Sequence, residues 1–281
     1  MPRGIISEMS ADRKLAIAQL YDRKKEDLNF VLSRSDGLVH HHNGICNPDI
    51  TFPDNLSQEE IQSLLHQQET DLANFGVGYF DGIDSSMLGL DAGSGRGGSA
   101  ILINQRFGCS VKGLNLSEYQ VEFASKLVKR IGIDRKVSFD LGDMCDTKLE
   151  SNSVDFIWAC ESTEHVDGLS KMFNEFYRIT KPGSQLVIIA WCKGVVESTE
   201  DIIKRVNHAY VTNVHPVHEY EQTAKDSGWQ LKDKVDLRSQ TAAYWRFRKR
   251  STVQSGTESF MSEGFTSGAI EYYLLKFKRR Q

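Results

Sequence analysis

Length, composition and charge set the first limits on what this chain can be. It has 281 residues, 40% of them hydrophobic, and a formal net charge of −4. That is enough for one large domain, or one domain with a modest cap, to bury a core without disulfides. A mildly acidic chain has no general attraction to nucleic acid or to anionic membranes. The basic clusters at 244–250 and 276–280 are interpreted as solvated faces of a helix or strand.

The cysteines and apolar segments indicate the compartment. No Cys-x-x-Cys spacing occurs, and the number of cysteines is odd, so we expect reduced thiols rather than a zinc site or a disulfide framework; they are Cys46, Cys109, Cys145, Cys160 and Cys192. No run approaches the ~18 apolar residues of a membrane span, and the N-terminus has no signal-peptide core. We therefore expect a cytoplasmic protein without a membrane partner.

The pattern predicts helices in the first part of the chain, and strands that alternate with helices in the rest. Apolar residues recur at helical spacing from Ala11 to about Leu32. A second helix follows Ser57, which forms a predicted capping box with Glu60. β-rich runs then alternate with helical stretches, at 87–91, 109–115, 136–143, 154–160 and 184–191. This alternation predicts an α/β fold with a parallel sheet covered on both faces.

Two smaller features bear on the boundaries of the predicted elements. Lys181, Pro182 and Gly183 predict a break before the fifth strand. No internal repeat or low-complexity segment is visible, which argues against a linker between independent domains.

The segment Leu90–Gly98, LDAGSGRGG, carries the strongest motif. A strand that runs into closely spaced glycines and then a helix lets the backbone approach a ligand, with unpaired amides at the helix start. The dinucleotide fingerprint also requires an acidic residue about 20 residues later, but position 115 is Asn115. Nicotinamide binding is therefore disfavoured. Asp91, just before the glycines, suits a ligand with a positive charge at the strand end.

Four segments in order resemble the class I S-adenosylmethionine-dependent methyltransferases. They are DAGSGRGG, GLNLSEYQ, GDMCD and ITKPGSQLVI, and together they span about 100 residues. The resemblance implies S-adenosyl-L-methionine as the cofactor. It implies that Asp91, Gly93 and Gly95 lie at its methionine moiety, and that the ribose and adenine are bound by Asn115, Leu116, Gln120, Asp143 and Met144. Gln120 could instead complete a capping box with Ser117, and Asp143 could be a turn residue.

A narrower resemblance runs almost end to end. Segments such as NFVLSRSDGLVHHHNGI, CESTEHVD and AAYWRFR are similar to the terpenoid C-methyltransferases that methylate geranyl diphosphate. This group includes enzymes that methylate and cyclise the geranyl group of an indole alkaloid, as in teleocidin biosynthesis, and that branch is the expected one. The resemblance implies a Rossmann-like class I fold, with a seven-stranded, mostly parallel sheet. It also implies a helical cap and substrate lid over 1–75, a core over 76–281 with an insertion at about 192–228, and a homo-oligomer, either dimer-based or hexameric.

The chemistry of alkene methylation defines which side chains are needed. An alkene attacks a methyl sulfonium without prior deprotonation, so alignment at about 3–3.5 Å matters most. The tertiary carbocation that results is best stabilised by aromatic faces and a carboxylate. Glu161 follows the fourth strand and matches the glutamate of the family's Asn-Glu-Ser motif, and Tyr21 is the second catalytic candidate. Trp191 and Tyr210 are aromatic candidates for the substrate pocket, although any of these rings could be core.

Two alternatives stay open for the carboxylates. In the first, Glu161 has no catalytic role and its carboxylate only caps the next helix. Glu164 competes with it, because the cyclopropane-synthase branch places a functional glutamate in an equivalent Glu-His pair. We favour Glu161 as catalytic and place Glu164 in the substrate pocket.

Three consecutive histidines, His40, His41 and His42, invite a metal interpretation. An extended backbone throws neighbouring side chains to opposite sides, so a metal site is disfavoured. Packing, or a loop that closes over the substrate, is favoured, with His40 and His41 as substrate residues and His215 as a weaker candidate.

The two positions that flank the histidines bear on the acceptor. Relatives that use diphosphates are expected to have tyrosines where Val39 and Asn43 stand, which suggests a bulkier acceptor here. A small-molecule N- or O-methyltransferase and a non-catalytic binding module remain the alternatives.

Overall fold

The computed structural model describes residues 11–280, and its centre is a seven-stranded sheet in the order β3-β2-β1-β4-β5-β7-β6. The strands are β1 Leu88–Ala92, β2 Ser110–Asn115, β3 Val137–Leu141, β4 Val154–Cys160, β5 Thr180–Lys193, β6 Trp229–Asp236 and β7 Ile270–Arg279. Strands β1 to β5 pair in parallel, and β7 pairs antiparallel with both β5 and β6. The predicted Rossmann-like methyltransferase fold is confirmed.

Ten α-helices of the described residues surround the sheet. They are α1 Ala11–Arg23, α2 Leu28–Leu32, α3 Gln58–Val77, α4 Gly98–Phe107, α5 Glu118–Arg130, α6 Leu169–Ile179, α7 Thr199–Tyr210, α8 Val217–Asp226, α9 Arg238–Arg248 and α10 Glu258–Ser267. The strand order reverses between β1 and β4. Parallel sheets bind ligands beyond the carboxyl ends of their strands at such a reversal.

The middle strands are buried on both faces, which explains their continuous apolar sequence. On β4, Phe156 and Trp158 join one core cluster, while Ile157 and Ala159 join the other. Helix α3 packs tightly on the first face, because a Cβ on its Gly76 would lie 2.5 Å from the Trp158 ring. The predicted cap boundary at residue 75 therefore falls inside a helix that is part of the sheet's own packing.

Several sequence-based boundaries differ from the structure. The continuous helix predicted from Ala11 to Leu32 is interrupted, because Asp27 caps a new helix by accepting a hydrogen bond from the Phe30 amide. The break predicted before β5 is wrong: the strand begins at Thr180 and absorbs Pro182 and Gly183 at an irregular register. The capping box of Ser57 and Glu60 is present at the start of α3. The predicted insertion at 192–228 contains α7 and α8.

The cluster at 244–250 is not a solvated face. Helix α9 buries Tyr244, Trp245, Phe247 and Arg248, because it packs between α3 and α10. In the later cluster, Lys276 is also buried and pairs with Asp81. All five cysteines carry unpaired thiols. Within residues 11–280 no helix is both long and apolar enough to span a membrane.

Candidate active site

Two adjoining cavities lie beyond the carboxyl ends of the strands. The first, called here the cofactor cleft, contains about 850 Å³ of empty space. It brings together every residue predicted for the cofactor, namely Asp91, Gly93, Gly95, Asn115, Leu116, Gln120, Asp143 and Met144. The second, the acceptor cavity, contains about 1220 Å³.

The glycine loop after β1 forms the floor of the cofactor cleft. Gly93 and Gly95 have φ values of +85° and +53°, which disfavour side chains. A Cβ on Gly93 would lie 2.3 Å from the Ser162 Cβ, so this glycine allows close packing of the loop. A Cβ on Gly95 would meet nothing nearer than His41 at 3.7 Å, so this glycine keeps the cleft open.

Asp91 gives the cleft a buried carboxylate at the end of β1. It is 2% exposed, and among the described residues its Oδ2 has no hydrogen-bond partner. Burial raises its pKa to about 7, although the Ala100 amide opposes this shift. A cationic ligand would supply the missing partner, and S-adenosylmethionine carries both a sulfonium and an ammonium group. The residues present therefore fit this cofactor.

Asn115 and Gln120 form a pair on the lining of the cleft. Asn115 Nδ2 donates to Gln120 Oε1 at 2.8 Å, and the Gln120 carboxamide lies 3.4 Å from His41 Nε2. Ser117 caps α5 by accepting from the Gln120 amide, but the Gln120 side chain does not return to complete a capping box. The carboxamides therefore face the cleft, as a ligand-binding role requires.

Asp143 makes the predicted turn interaction and also lines the cofactor cleft, where adenine binding stays a prediction. Its Oδ1 accepts a hydrogen bond from the Cys145 amide at 2.8 Å, which is a turn interaction. Its Oδ2 pairs with Lys14 of α1 at 2.6 Å. Asp143 thus fixes the turn after β3 and holds α1 across the cleft.

The acceptor cavity is lined by aromatic side chains and by charges of both signs. The aromatic residues are Tyr21, Trp191, Tyr210 and Trp245, and the charged residues are Lys24, Asp27, Glu161, Glu164 and Arg248. Trp191 and Tyr210 meet edge to face at 5.1 Å between centroids. Such a lining suits an apolar chain that becomes positively charged during reaction.

Five side chains line both cavities and form what we call the shared wall: Tyr21, His41, His42, Glu161 and His165. Two catalytic candidates predicted from sequence, Tyr21 and Glu161, are therefore adjacent to both cavities. A methyl group that passes from one cavity to the other must pass beside these residues.

Glu161 is held in a strained backbone conformation at the end of β4. Its φ is +48°, which is uncommon for a residue with a side chain and costs of order 1–3 kcal/mol. Its Oε1 accepts hydrogen bonds from the Asn43 amide, at 2.7 Å, and from the Tyr272 hydroxyl. Neither donor reaches Oε2. Burial raises the Glu161 pKa to about 7, against the hydrogen bonds from Tyr272 and Asn43.

Glu164 is bound differently. Its Oε1 accepts a hydrogen bond from the Trp191 amide at 2.6 Å, and its carbonyl accepts one from the Asn213 amide. Burial, and then the charge of Glu161, raise its pKa to about 8. Glu164 lines the acceptor cavity but is committed to holding β5 and the segment after α7 together.

The three histidines point to two sides, as extended backbone requires. The His41 ring lies beside Tyr21, at 6.0 Å between centroids, and beside Gln120. His40 packs between His42, at 4.9 Å, and His66, at 5.6 Å. Burial lowers the pKa of His40, His41 and His42. In the part of the chain the structure describes, no group of three or more histidine, cysteine or acidic side chains is placed to hold a metal.

His215 does not join the pocket, contrary to the expectation. Its Nδ1 lies 2.9 Å from Glu219, and its Nε2 lies 3.2 Å from the Val166 carbonyl. It lines neither cavity.

The two residues that flank the histidine run, where diphosphate-using relatives are expected to have tyrosines, lie in different cavities. Asn43 lines the acceptor cavity, whereas Val39 lines the cofactor cleft.

Sequence reasoning missed several charged and aromatic cavity residues, among them Lys24, His165, Trp245 and Arg248. In the sequence, His165 was noted only as the second residue of the Glu-His pair that begins at Glu164, and no role was assigned to it. Trp245 and Arg248 lay in a cluster interpreted as solvated, and the signal that pointed inward was its mixture of aromatic and basic residues. Lys24 has no sequence signal of its own.

Comparison with known proteins agrees with this geometry. Residues 90–188 match the model of a methyltransferase domain. The chain is 34% identical to a geranyl diphosphate 2-C-methyltransferase of Saccharopolyspora erythraea, over 94% of both chains. It is 30% identical to an enzyme of the same name from Streptomyces lasalocidi, over 99% of this chain and 94% of that one.

A solved structure shows the same architecture. It is the geranyl diphosphate C-methyltransferase of Streptomyces coelicolor, in complex with Mg²⁺, geranyl-S-thiolodiphosphate and S-adenosyl-L-homocysteine. The TM-score is 0.90 at 28% identity, and the match covers 97% of this chain and 100% of that one. The chain therefore belongs to the geranyl diphosphate 2-C-methyltransferase family of S-adenosylmethionine-dependent C-methyltransferases.

Proposed function

We propose that the enzyme methylates an alkene carbon of a prenyl chain through a carbocation. We further propose that this chain is the geranyl group of an indole alkaloid and that ring closure follows, as in teleocidin-type chemistry. The observation that carries the proposal is the shared wall, where Tyr21 and Glu161 separate a cofactor cleft from an aromatic cavity.

The cofactor-binding residues act by positioning. Bound S-adenosylmethionine supplies an electrophilic methyl group. Asp91 meets the positive charge of the methionine part, and Gly95 lets the backbone approach closely. Asn115 and Gln120 hold the ribose and adenine, together with Leu116, Asp143 and Met144. The methyl group would then face the shared wall.

The acceptor residues control charge. As the methyl–sulfur bond breaks, the alkene π electrons form the new carbon–carbon bond and leave a tertiary cation on the neighbouring carbon. The faces of Tyr21, Trp191 and Tyr210 stabilise that cation without reacting with it. Glu161 adds a full negative charge in a site shielded from water, where it has its greatest effect.

Ring closure needs one proton acceptor. The electron-rich indole ring attacks the cation, and the proton of the attacked ring carbon must then leave. Glu161 can accept it on Oε2, because Asn43 and Tyr272 both donate to Oε1. A carboxylate with a pKa of about 7 suits this task near neutral pH.

The charges around the acceptor cavity favour a neutral head group over a diphosphate. Arg248 lies 3.5 Å from the Glu258 carboxylate, which already compensates its charge, and 3.7 Å from Glu69, whose pKa is raised by burial to about 8. Asp27 pairs with the buried Arg96 at 3.0 Å. A diphosphate would have to compete with these carboxylates.

A prenyl diphosphate acceptor is the second candidate. It is favoured by the relatives that act on geranyl diphosphate, and by the presence of both Lys24 and Arg248 on the acceptor cavity. In either case we expect a homo-oligomer, dimer-based or hexameric, which light scattering of the purified protein would measure.

The deciding experiment is incubation with S-adenosylmethionine and either geranyl diphosphate with Mg²⁺ or a geranylated indole alkaloid, followed by mass spectrometry. We expect a methylated, cyclised product from the indole substrate. Methylation of geranyl diphosphate alone would select the second candidate. Methylation of amines or phenols, with neither prenyl substrate consumed, would contradict both.

A further inference from the structure

We propose that the ammonium group of Lys24 occupies the aromatic site of the acceptor cavity until the acceptor displaces it. The Lys24 ammonium then takes, in the free enzyme, the place that the positively charged carbon of the prenyl chain takes during the reaction. The inference deepens the proposed function and rests on it only for the identity of the displacing group.

The first observation is geometric. Lys24 Nζ lies over the Tyr21 ring, at 4.9 Å from the centroid, and over the Tyr210 ring, at 5.4 Å. Both distances are within the range of cation–π attraction. All three residues line the acceptor cavity. A cation at this point is thus held between two rings that come from α1 and α7.

Both rings are fixed by other parts of the chain. The Tyr21 hydroxyl lies 2.9 Å from His165 Nε2, and the Tyr210 hydroxyl lies 2.7 Å from Thr257 Oγ1. The two-ring site is therefore built independently of Lys24 and remains when the lysine leaves.

The second observation is what Lys24 does not contact. Within residues 11–280, no carboxylate oxygen lies at ion-pair distance from its Nζ, whereas Lys14, Lys112 and Lys181 each pair with an aspartate at 2.6–2.8 Å. Burial lowers the Lys24 pKa, which Asp27 opposes and the charges of Arg96 and Arg248 reinforce. A partly buried lysine that lacks a close carboxylate takes its electrostatic compensation from the ring faces.

An acceptor competes with Lys24 for the two tyrosine rings. Two cations cannot share one pair of rings, so an acceptor must expel the lysine before its own reacting carbon can take that place. The apparent affinity of any occupant is reduced by the fraction of molecules in which the site is open. Only acceptors that pack well against both tyrosines can offset this loss, so Lys24 selects among acceptors.

The test uses a matched pair of probes, choline and its uncharged isostere 3,3-dimethylbutan-1-ol, titrated into the whole protein by calorimetry or NMR. If Lys24 fills the site in about nine molecules of ten, Lys24→Ala should tighten binding of both probes by about tenfold. Lys25→Ala is the control, because Lys25 is exposed and lies over a different ring, that of Tyr119. It should leave both affinities unchanged.

The two probes distinguish a site that Lys24 physically fills from one where its positive charge merely repels a cationic probe. If Lys24→Ala tightens choline alone, the lysine acts through its charge at a distance and the proposal is wrong. Equal affinities of wild type and Lys24→Ala for both probes would also overturn it. Adding Tyr210→Leu to Lys24→Ala should remove the gain, and its persistence would place the probes elsewhere. No turnover is measured, so failure of the methylation proposal leaves these readouts unchanged.

Discussion

The hydroxyl of Tyr21 lies 2.9 Å from Nε2 of His165, across 144 residues of sequence. The other ring nitrogen of His165, Nδ1, lies 3.2 Å from the carbonyl of Val211. A carbonyl only accepts hydrogen bonds, so Nδ1 carries the proton and Nε2 accepts from the tyrosine. Burial lowers the His165 pKa to about 4, which keeps the ring neutral. The Tyr21 proton therefore points at His165, within the shared wall, and the lone pairs of its oxygen are directed elsewhere.

The carbonyl that fixes this arrangement belongs to a strained residue. Val211 has a φ of +55°, which is rare for a β-branched side chain. The next residues are tied to the segment after β4, since the Asn213 amide donates to the Glu164 carbonyl at 2.6 Å. Strain at Val211 thus aligns its carbonyl with His165.

We predict that His165→Phe and Tyr21→Phe each change the ratio of cyclised products by about fivefold, with a smaller effect on total methylation. A hydrogen bond of about 1 kcal/mol, lost at the step that partitions the cation, gives a change of this size. The measurement compares product ratios with total S-adenosylhomocysteine formed. Because the two residues act as one unit, the double variant should change the ratio no more than either single variant. Additive changes would show that they act separately.

For Glu161→Gln we predict unchanged cofactor affinity and turnover reduced by about a hundredfold, because an amide is a poorer cation stabiliser and proton acceptor. Calorimetry with S-adenosylhomocysteine and product assays would measure the two effects. Wild-type rate and product ratio in this variant, with an inactive Glu164→Gln, would reverse the roles assigned to the two glutamates.

The sequence was most informative where function depends on local backbone geometry. Asp91 lies near the end of one strand and Gly93 and Gly95 follow it, and this spacing together with the later motifs predicted a ligand site there. Asn115 ends β2 and Asp143 lies two residues beyond the end of β3, so a parallel sheet brings them to the same edge. Element order and the cofactor cleft were therefore predictable.

Contacts between distant segments could not be predicted in the same way. The pairing of Tyr21 with His165, and of Lys24 with Tyr210, depends on how α1 crosses the sheet edge, which no local pattern specifies. Arg248 looked solvent-exposed because its neighbours are basic, but the Glu258 carboxylate at 3.5 Å and the Tyr244 hydroxyl at 2.7 Å make its burial tolerable.

Gly95→Val is predicted to weaken cofactor binding by about a hundredfold, equivalent to about 2.7 kcal/mol. Its side chain would project into the open cleft toward His41, from a backbone with positive φ. Gly183→Val is the control, since Gly183 also has positive φ, at +80°, but nothing lies within 4 Å of its added Cβ. Calorimetry with S-adenosylhomocysteine measures both. Equal losses in the two variants would assign the effect to backbone strain rather than to the cleft.

Glu164→Gln is predicted to make stability less dependent on pH. Burial raises the folded-state pKa of Glu164 from 4.5 to about 8, so the folded state binds its proton more tightly than the unfolded state does. Its contribution to stability is complete below pH 4.5 and is lost as the pH rises through about 8. Glutamine keeps an oxygen for the Trp191 amide but cannot ionise. Urea unfolding at pH 5 and pH 8 should therefore differ less in the variant, and an unchanged difference would contradict the assignment.

The last prediction concerns the pH dependence of turnover. If Glu161 accepts a proton after the cation is trapped, it must be ionised, and burial sets its pKa to about 7. At saturating S-adenosylmethionine, kcat should therefore rise as the pH increases through about 7 and then level off. Saturation matters because Asp91 has a similar pKa, so its protonation at low pH should raise the KM for the cofactor instead. In Glu161→Gln the rise in kcat should disappear while the change in KM persists. A rise in kcat that survives in this variant would assign the proton to another acceptor of the shared wall.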